Sequence, residues 1–307
     1  MTAIIVVTGT LAALPRCIQA QERASGDWVL PRTAVGRPDL QGNWSNATLT
    51  PIGRPEGQEL FLTPEQVDDI EGRRQDRIET SAQPSDPDRV APPVGGDGST
   101  GAAGGVGGYN YFFIDAGDRV AVYDGQPRSS LITDPPNGRR PDFTEEGQRR
   151  RREAREFGRQ FGEYDNPENR PLAERCLMSF GSNAGPPMLP NYFYNNNYTI
   201  VQTPDHIMIM TEMVHDVRVI RMGRPNRLPE QMRPWMGDSW GHWEGDTLVV
   251  VTTNIHPDQP MFAISTAVFL PSEGMRVTER FTRVSATAIN YEFLVEDPIM
   301  LTAPVAG

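Results

Sequence analysis

Apolar and polar residues alternate most clearly in the second half of the chain. From Ile207 to Met222 the alternation predicts one long strand. Trp240 to Glu244 and Thr247 to Asn254 flank Gly245-Asp246, the dipeptide of a tight hairpin. Met275 to Val284 and Ala288 to Glu296 flank Ser285-Ala286-Thr287, which predicts a second hairpin. Shorter strands are expected at Ile200 to Thr203 and Ser265 to Leu270. Strands at this spacing, with no helices between them, imply an antiparallel meander closed into a barrel or folded as a sandwich. The expected fold class is therefore mainly β, with two or so peripheral helices and long loops.

The first half is less periodic. Pro38 to Trp44 reads as a turn entering a short strand. A helix is expected after Thr63, which can cap it, with Pro64 at the first position and Gln66 completing a capping box. Tyr109 to Ile114 and Arg119 to Tyr123 predict two strands around Asp115-Ala116-Gly117-Asp118, and Ser130 to Thr133 a third. Thr144 to Gln160 predicts an arginine-rich helix with acidic residues in its first turn, where the helix dipole favours them. Its run Arg149 to Arg152 reads as a solvated face or, alternatively, an anion site.

Ala3 to Leu14 are apolar or small, and Ile18-Gln19-Ala20 ends in a small residue before Gln21-Glu22. This resembles the core and cleavage region of an export signal, although no positive residue precedes it. The run is too short to span a membrane. The expected organisation is a signal peptide over 1–20, a linker over 21–37 and one β-rich domain over 38–307. A flexible glycine-rich loop is expected at 81–108. A periplasmic or secreted location follows, with no integral membrane segment in the mature chain.

Composition narrows the chemistry. A net charge of −11 argues against general nucleic-acid binding, which needs basic surface. The chain has no lysine, so all 29 basic residues are arginine. That excludes a Schiff-base lysine and a lysine-bearing phosphate loop, while leaving guanidinium groups to hold anions. With Cys17 in the expected signal, Cys176 stands alone and reads as a small buried apolar residue. It provides neither an internal disulfide nor a thiolate zinc cluster.

Several segments together resemble a large, uncharacterised family of exported bacterial proteins. They include Pro38-Asp39-Leu40-Gln41-Gly42-Asn43-Trp44, Val214-His215-Asp216-Val217-Arg218, Gly241-His242-Trp243-Glu244-Gly245-Asp246-Thr247-Leu248-Val249-Val250, Glu279-Arg280-Phe281 and Val295-Glu296-Asp297-Pro298. The resemblance spans residue 38 to the C-terminus and implies export but no mechanism. It also implies a further strand-rich tail with a Cys-His-Glu sequence, which this chain lacks. Gly42 to Trp44 also suits the opening of a lipocalin-like barrel.

Alternation assigns the polar side chains to faces. If 207–222 is one strand, Glu212, Asp216 and Arg218 share a row, with Arg218 able to pair with either carboxylate. His215 falls on the other, apolar face. Trp240, His242 and Glu244 share a face in the first hairpin. Arg280 can pair with a carboxylate of the long strand, and Tyr291 falls on a core face. No nucleophile elbow or zinc-binding His-Glu-x-x-His occurs. The expected enzyme is an exported lyase, isomerase or hydrolase using acid–base chemistry. His215, Asp216, His242 and Glu244 are its proton handlers; Arg218, Trp240 and Asn196 bind a small-molecule substrate. No cofactor is specified. The competing reading is a periplasmic binding protein for an apolar or aromatic ligand. A third is an envelope interaction protein.

Overall fold

The computed structural model describes residues 28–83, 88, 114–162, 164–178, 184–192, 195–259, 261–263 and 266–307. The expected signal peptide, the start of the linker and nearly all of the glycine-rich loop lie outside these residues. So does the expected strand at 109–114, except Ile114.

Among the described residues the fold is mainly β, a curled nine-stranded sheet that forms a half-barrel, with two α-helices. In chain order the elements are β1 (Gly42–Ser45), α1 (Pro64–Ser81), β2 (Val122–Tyr123), β3 (Gln126–Pro127) and α2 (Glu145–Gly158). They continue with β4 (Asn197–Gln202), β5 (His206–Thr211), β6 (Val217–Met222), β7 (Asp238–Glu244), β8 (Thr247–Thr253) and β9 (Met261–Ala263). The last are β10 (Thr266–Phe269), β11 (Arg276–Arg283), β12 (Ile289–Glu296) and β13 (Val305–Ala306). The large sheet has the order β1-β4-β5-β6-β7-β8-β11-β12-β13.

Both expected hairpins form. β7 pairs with β8 from Asp238↔Thr253 to Glu244↔Thr247, and β11 pairs with β12 from Arg276↔Glu296 to Arg283↔Ile289. Gly245 has φ +59° at the first central position of its turn, where a tight hairpin needs a positive φ. The capping box of α1 is also present, with Thr63 and Gln66 exchanging hydrogen bonds.

The long strand is not one strand. It folds back as β5 and β6, joined by a single 3₁₀ turn at Met213–His215 in which Val214 has φ +57°. Asp216 is the one turn-favouring residue in Glu212 to Asp216; no Gly, Pro or Asn occurs there, and a β-branched residue takes the left-handed position. The meander is also interrupted. After β6 the chain crosses the outer face through residues 223–237 and returns as β7, parallel to β6. Ser130 to Thr133 is not a ladder strand. Its N–H groups instead bond to Pro51, Ile52 and Ala306 carbonyls. Arg119 to Tyr123 contributes only β2, which pairs with β3.

Two apolar clusters fill the hollow of the sheet. One centres on Leu189, Ile255, Val277, Phe293 and Val295, the other on Leu40, Ile200, Ile209, Leu248 and Phe281. Tyr291 packs against both. α2 closes one end. Its Arg150 forks onto Glu273 at 2.6 and 2.8 Å, and Arg149 pairs with Glu146 and Glu153. Part of the arginine run is therefore neutralised by carboxylates. Cys176, expected to be buried, is exposed, in a backbone turn where its φ is +55°.

A Cβ on Gly147 of α2 would lie 2.6 Å from the Met300 carbonyl oxygen. Glycine is therefore required by close approach. Gly147→Ala gains about 1 kcal/mol of helix propensity, but overpacking against backbone costs about 1–3 kcal/mol. A net loss of stability is expected, read as a lower urea midpoint.

Candidate functional site

The inward face of the sheet is largely apolar, with the buried hydroxyls of Thr211, Ser239 and Thr252 and a charged group around Arg218 and Glu279. On β11, Glu279 sits between Val277 and Phe281 in the inward register, and all three are buried. Arg218 of β6 faces the same interior, 2% exposed. It forks onto Glu279, with Nη1 donating to Oε2 at 2.7 Å and Nη2 to Oε1 at 3.0 Å. β6 and β11 stand three strand spacings apart, about 14 Å along a flat sheet. The pair meets because the sheet curls, and it spans the chord of that curl. Between them β7 turns small residues inward, Ser239 and Gly241. A Cβ on Gly241 would come within 2.8 Å of the Met222 sulfur.

Tyr291 of β12 completes the group. Its hydroxyl donates to Glu279 Oε1 at 2.8 Å and accepts from the Met188 N–H at 2.7 Å. Burial, followed by the charge of Glu279, raises the phenol well above its usual pKa. Tyr198 of β4 is buried close by, and burial likewise raises its pKa. The Asn46 amide is near enough to oppose that rise, but the two side chains make no hydrogen bond of full geometry. Consequently the Tyr198 hydroxyl, both polar atoms of Asn46 and Arg218 Nε are buried without a partner among the described residues. A buried unsatisfied group costs about 1–3 kcal/mol, so such atoms are normally met by ordered water or a ligand.

This group adjoins an open cleft of about 1510 Å³. Met188, Leu189, Tyr291 and Phe293 line it on one side, and Val120, Tyr123 and Arg128 on another; Asn46 also lines it. Arg128 lies over the rings of Phe61 and Tyr123, 4.9 and 5.4 Å from their centroids. The Tyr123 phenol is pushed up to about 12, mainly by burial and then by Glu292. Tyr123 and Tyr291 therefore keep their phenol protons at pH 7, that of Tyr291 already donated to Glu279.

The residues singled out by sequence are not gathered here, apart from Arg218. His215 lies in the β5–β6 turn and Asp216 follows it, with the Asp216 carbonyl accepting from Thr211 N–H. Glu212 is exposed and bonds Asn197, so it shares no row with Arg218. The parallel register of β6 and β7 puts His242 and Glu244 toward the opposite end of the sheet, about 20 Å along the strands. They lie on the outer face, half-exposed. His242 Nε2 is 3.1 Å from Glu244 Oε1, and Arg280 pairs with Glu244 at 2.9 Å. Those two hydrogen bonds lower the Glu244 pKa, His242 first. Arg280 thus finds its carboxylate in the first hairpin, not on the expected long strand.

Trp240 is also on the outer face, with the Arg221 guanidinium 4.4 Å above its ring. Asn196 is fully buried, and backbone takes both ends of its amide: Asn191 N–H donates to it at 2.7 Å, and it donates to the Asp115 carbonyl at 2.8 Å. It serves the fold and has no free amide group to offer a ligand.

Sequence reasoning missed Glu279, Tyr198 and Asn46 as members of a site, and gave Tyr291 only a core role. One signal was available: a carboxylate in the apolar register of Val277-Thr278-Glu279-Arg280-Phe281. No group of three or more His, Cys, Asp or Glu residues suited to a metal ion occurs among the described residues. Compared with protein-family profiles, curated proteins and solved structures, the chain matches none of them.

Removing one partner of the buried pair strands the other charge, which costs about 3–5 kcal/mol. Glu279→Gln is expected to lose that much in urea unfolding. The double variant Arg218→Met/Glu279→Leu is expected to lose clearly less than the two single losses combined.

Proposed function

We propose that this protein is an exported binding protein for a small apolar or aromatic molecule carrying one polar group. The carrying observation is the unpartnered Asn46 amide in the wall of the cleft, beside the buried Tyr198 and Arg218. Apolar and aromatic walls with a few convergent polar atoms are the usual make-up of a small-molecule site. The cleft exceeds the roughly 300–1,000 Å³ of common ligand pockets, so a ligand of ordinary size would occupy its inner part. There the ligand body would lie on Met188, Leu189 and Tyr291, and its polar group would meet Asn46.

Binding is favoured over acid–base turnover for two reasons. His215 with Asp216 and His242 with Glu244 are separated by most of the sheet and do not converge on one substrate. In the cleft, Tyr123 and Tyr291 hold their protons too tightly at neutral pH to work efficiently as acid or base. Export, and membership of the family that the motifs resemble, belong to the same proposal. They rest on the apolar run before Gln21 and on the motif set. Among the described residues no helix is long and apolar enough to cross a membrane.

The neutral fluorescent probe N-phenyl-1-naphthylamine tests the cleft. Saturable enhancement at one site per chain is expected. Ala121→Trp, which places a bulky ring in the cleft wall, should abolish it while circular dichroism stays unchanged. No enhancement, or full enhancement in the folded Ala121→Trp variant, would contradict the proposal.

A further inference from the structure

The outer face carries a second, smaller cavity of about 420 Å³, roofed by the crossing segment 223–237. Its walls include Pro225, Arg227, Trp240, His242, Val251 and Arg276. The roof is fixed in place. Arg227 Nη1 donates to the carbonyls of Asp238 and Val251 at 2.7 and 3.0 Å, and Leu228 N–H donates to Asp238 Oδ2 at 2.9 Å. Asn254 Nδ2 ties the same segment down through the Pro229 and Met232 carbonyls.

Charge here runs against the chain as a whole. Although the protein carries −11, the guanidiniums of Arg227 and Arg276 line this cavity and that of Arg221 lies close to it. Burial lowers the Arg227 pKa, and both Arg276 and Arg221 lower it further by repulsion. The carboxylate offsetting them inside is Asp238, already committed to Arg221 and to Leu228 N–H. Glu296 reaches Arg276 only at 3.8 Å, and Glu244 is taken by His242 and Arg280. The Trp240 indole N–H is buried and has no hydrogen-bond partner among the described residues. Arg221 covers one face of that ring.

The cavity therefore holds surplus positive charge and an unmet N–H donor, set between apolar walls. What is missing is an acceptor with a negative charge and a compact apolar body. We infer that this cavity binds a small organic carboxylate, with Arg276 and Arg227 facing the carboxylate, the Trp240 N–H donating to it, and Pro225 and Val251 against its body. Guanidinium groups suit carboxylates through charge-assisted hydrogen bonds. The site is independent of the inner cleft, which lies on the opposite face of the sheet.

Isothermal titration of the intact protein, its inner cleft first saturated with N-phenyl-1-naphthylamine, with benzoate and separately with inorganic phosphate tests this. Benzoate is expected to bind at one site per chain, and more tightly than phosphate. Arg276→Gln should weaken benzoate about tenfold, the loss of one charge-assisted hydrogen bond. Trp240→Phe, which keeps a ring but removes the donor, should weaken it several-fold. Both variants should retain the wild-type response to N-phenyl-1-naphthylamine, which reports the inner cleft and the intact fold. Absence of saturable benzoate binding would overturn the inference. So would unchanged affinity in both variants, or phosphate binding as tightly as benzoate.

Discussion

The curl of the sheet and the buried Arg218–Glu279 ion pair depend on each other. Arg218 and Glu279 are too far apart on a flat sheet for a two-pronged contact, and neither can remain charged in an apolar interior alone. Once the sheet curls, the pair closes across the hollow, and Glu279 gains a third hydrogen bond from Tyr291. Tyr291 then receives the Met188 N–H, which draws the segment at 188–190 onto β12. An all-apolar replacement would pack the same space, so the pair is not there simply for stability. Its geometric effect is to set β6 against β11 in one register, and this leaves Arg218 Nε, Tyr198 and Asn46 beside the cleft.

Much of the fold was legible in the alternation. The hairpins β7–β8 and β11–β12 were marked by Gly245-Asp246 and by Ser285 to Thr287, and α1 by its capping box. The failures lie where local pattern is weak, in a turn whose one turn-favouring residue is Asp216 and in a crossing made without a helix. Val214 adopts a left-handed backbone that glycine would have announced, so β5 and β6 read as one strand. The parallel step from β6 to β7 was equally hidden, because the connecting residues 223–237 pack on the sheet without forming a helix.

The site was less legible than the fold, for a related reason. Treating 207–222 as one strand put Glu212, Asp216 and Arg218 in a false row. Breaking that strand sends Glu212 to solvent beside Asn197 and leaves Arg218 to find Glu279, 61 residues away. A partner at that distance follows from sheet order and curl, which sequence alone does not supply. The row Trp240, His242 and Glu244 was read correctly as one face. It proved to be the outer face, where His242 and Glu244 form a half-exposed ion network with Arg280. The two faces thus differ in kind: inside, neutral hydroxyls and an unmet amide in an apolar cleft; outside, crowded guanidiniums over a small cavity.

The most direct test of this account is a high-resolution crystal structure of the purified protein, examined around Asn46, Tyr198 and Arg218. The account predicts Glu279 bonded to both Arg218 and Tyr291, and an ordered ligand group or water within hydrogen-bond reach of the Asn46 amide. A collapsed cleft, with Asn46, Tyr198 and Arg218 satisfying one another directly, would contradict it.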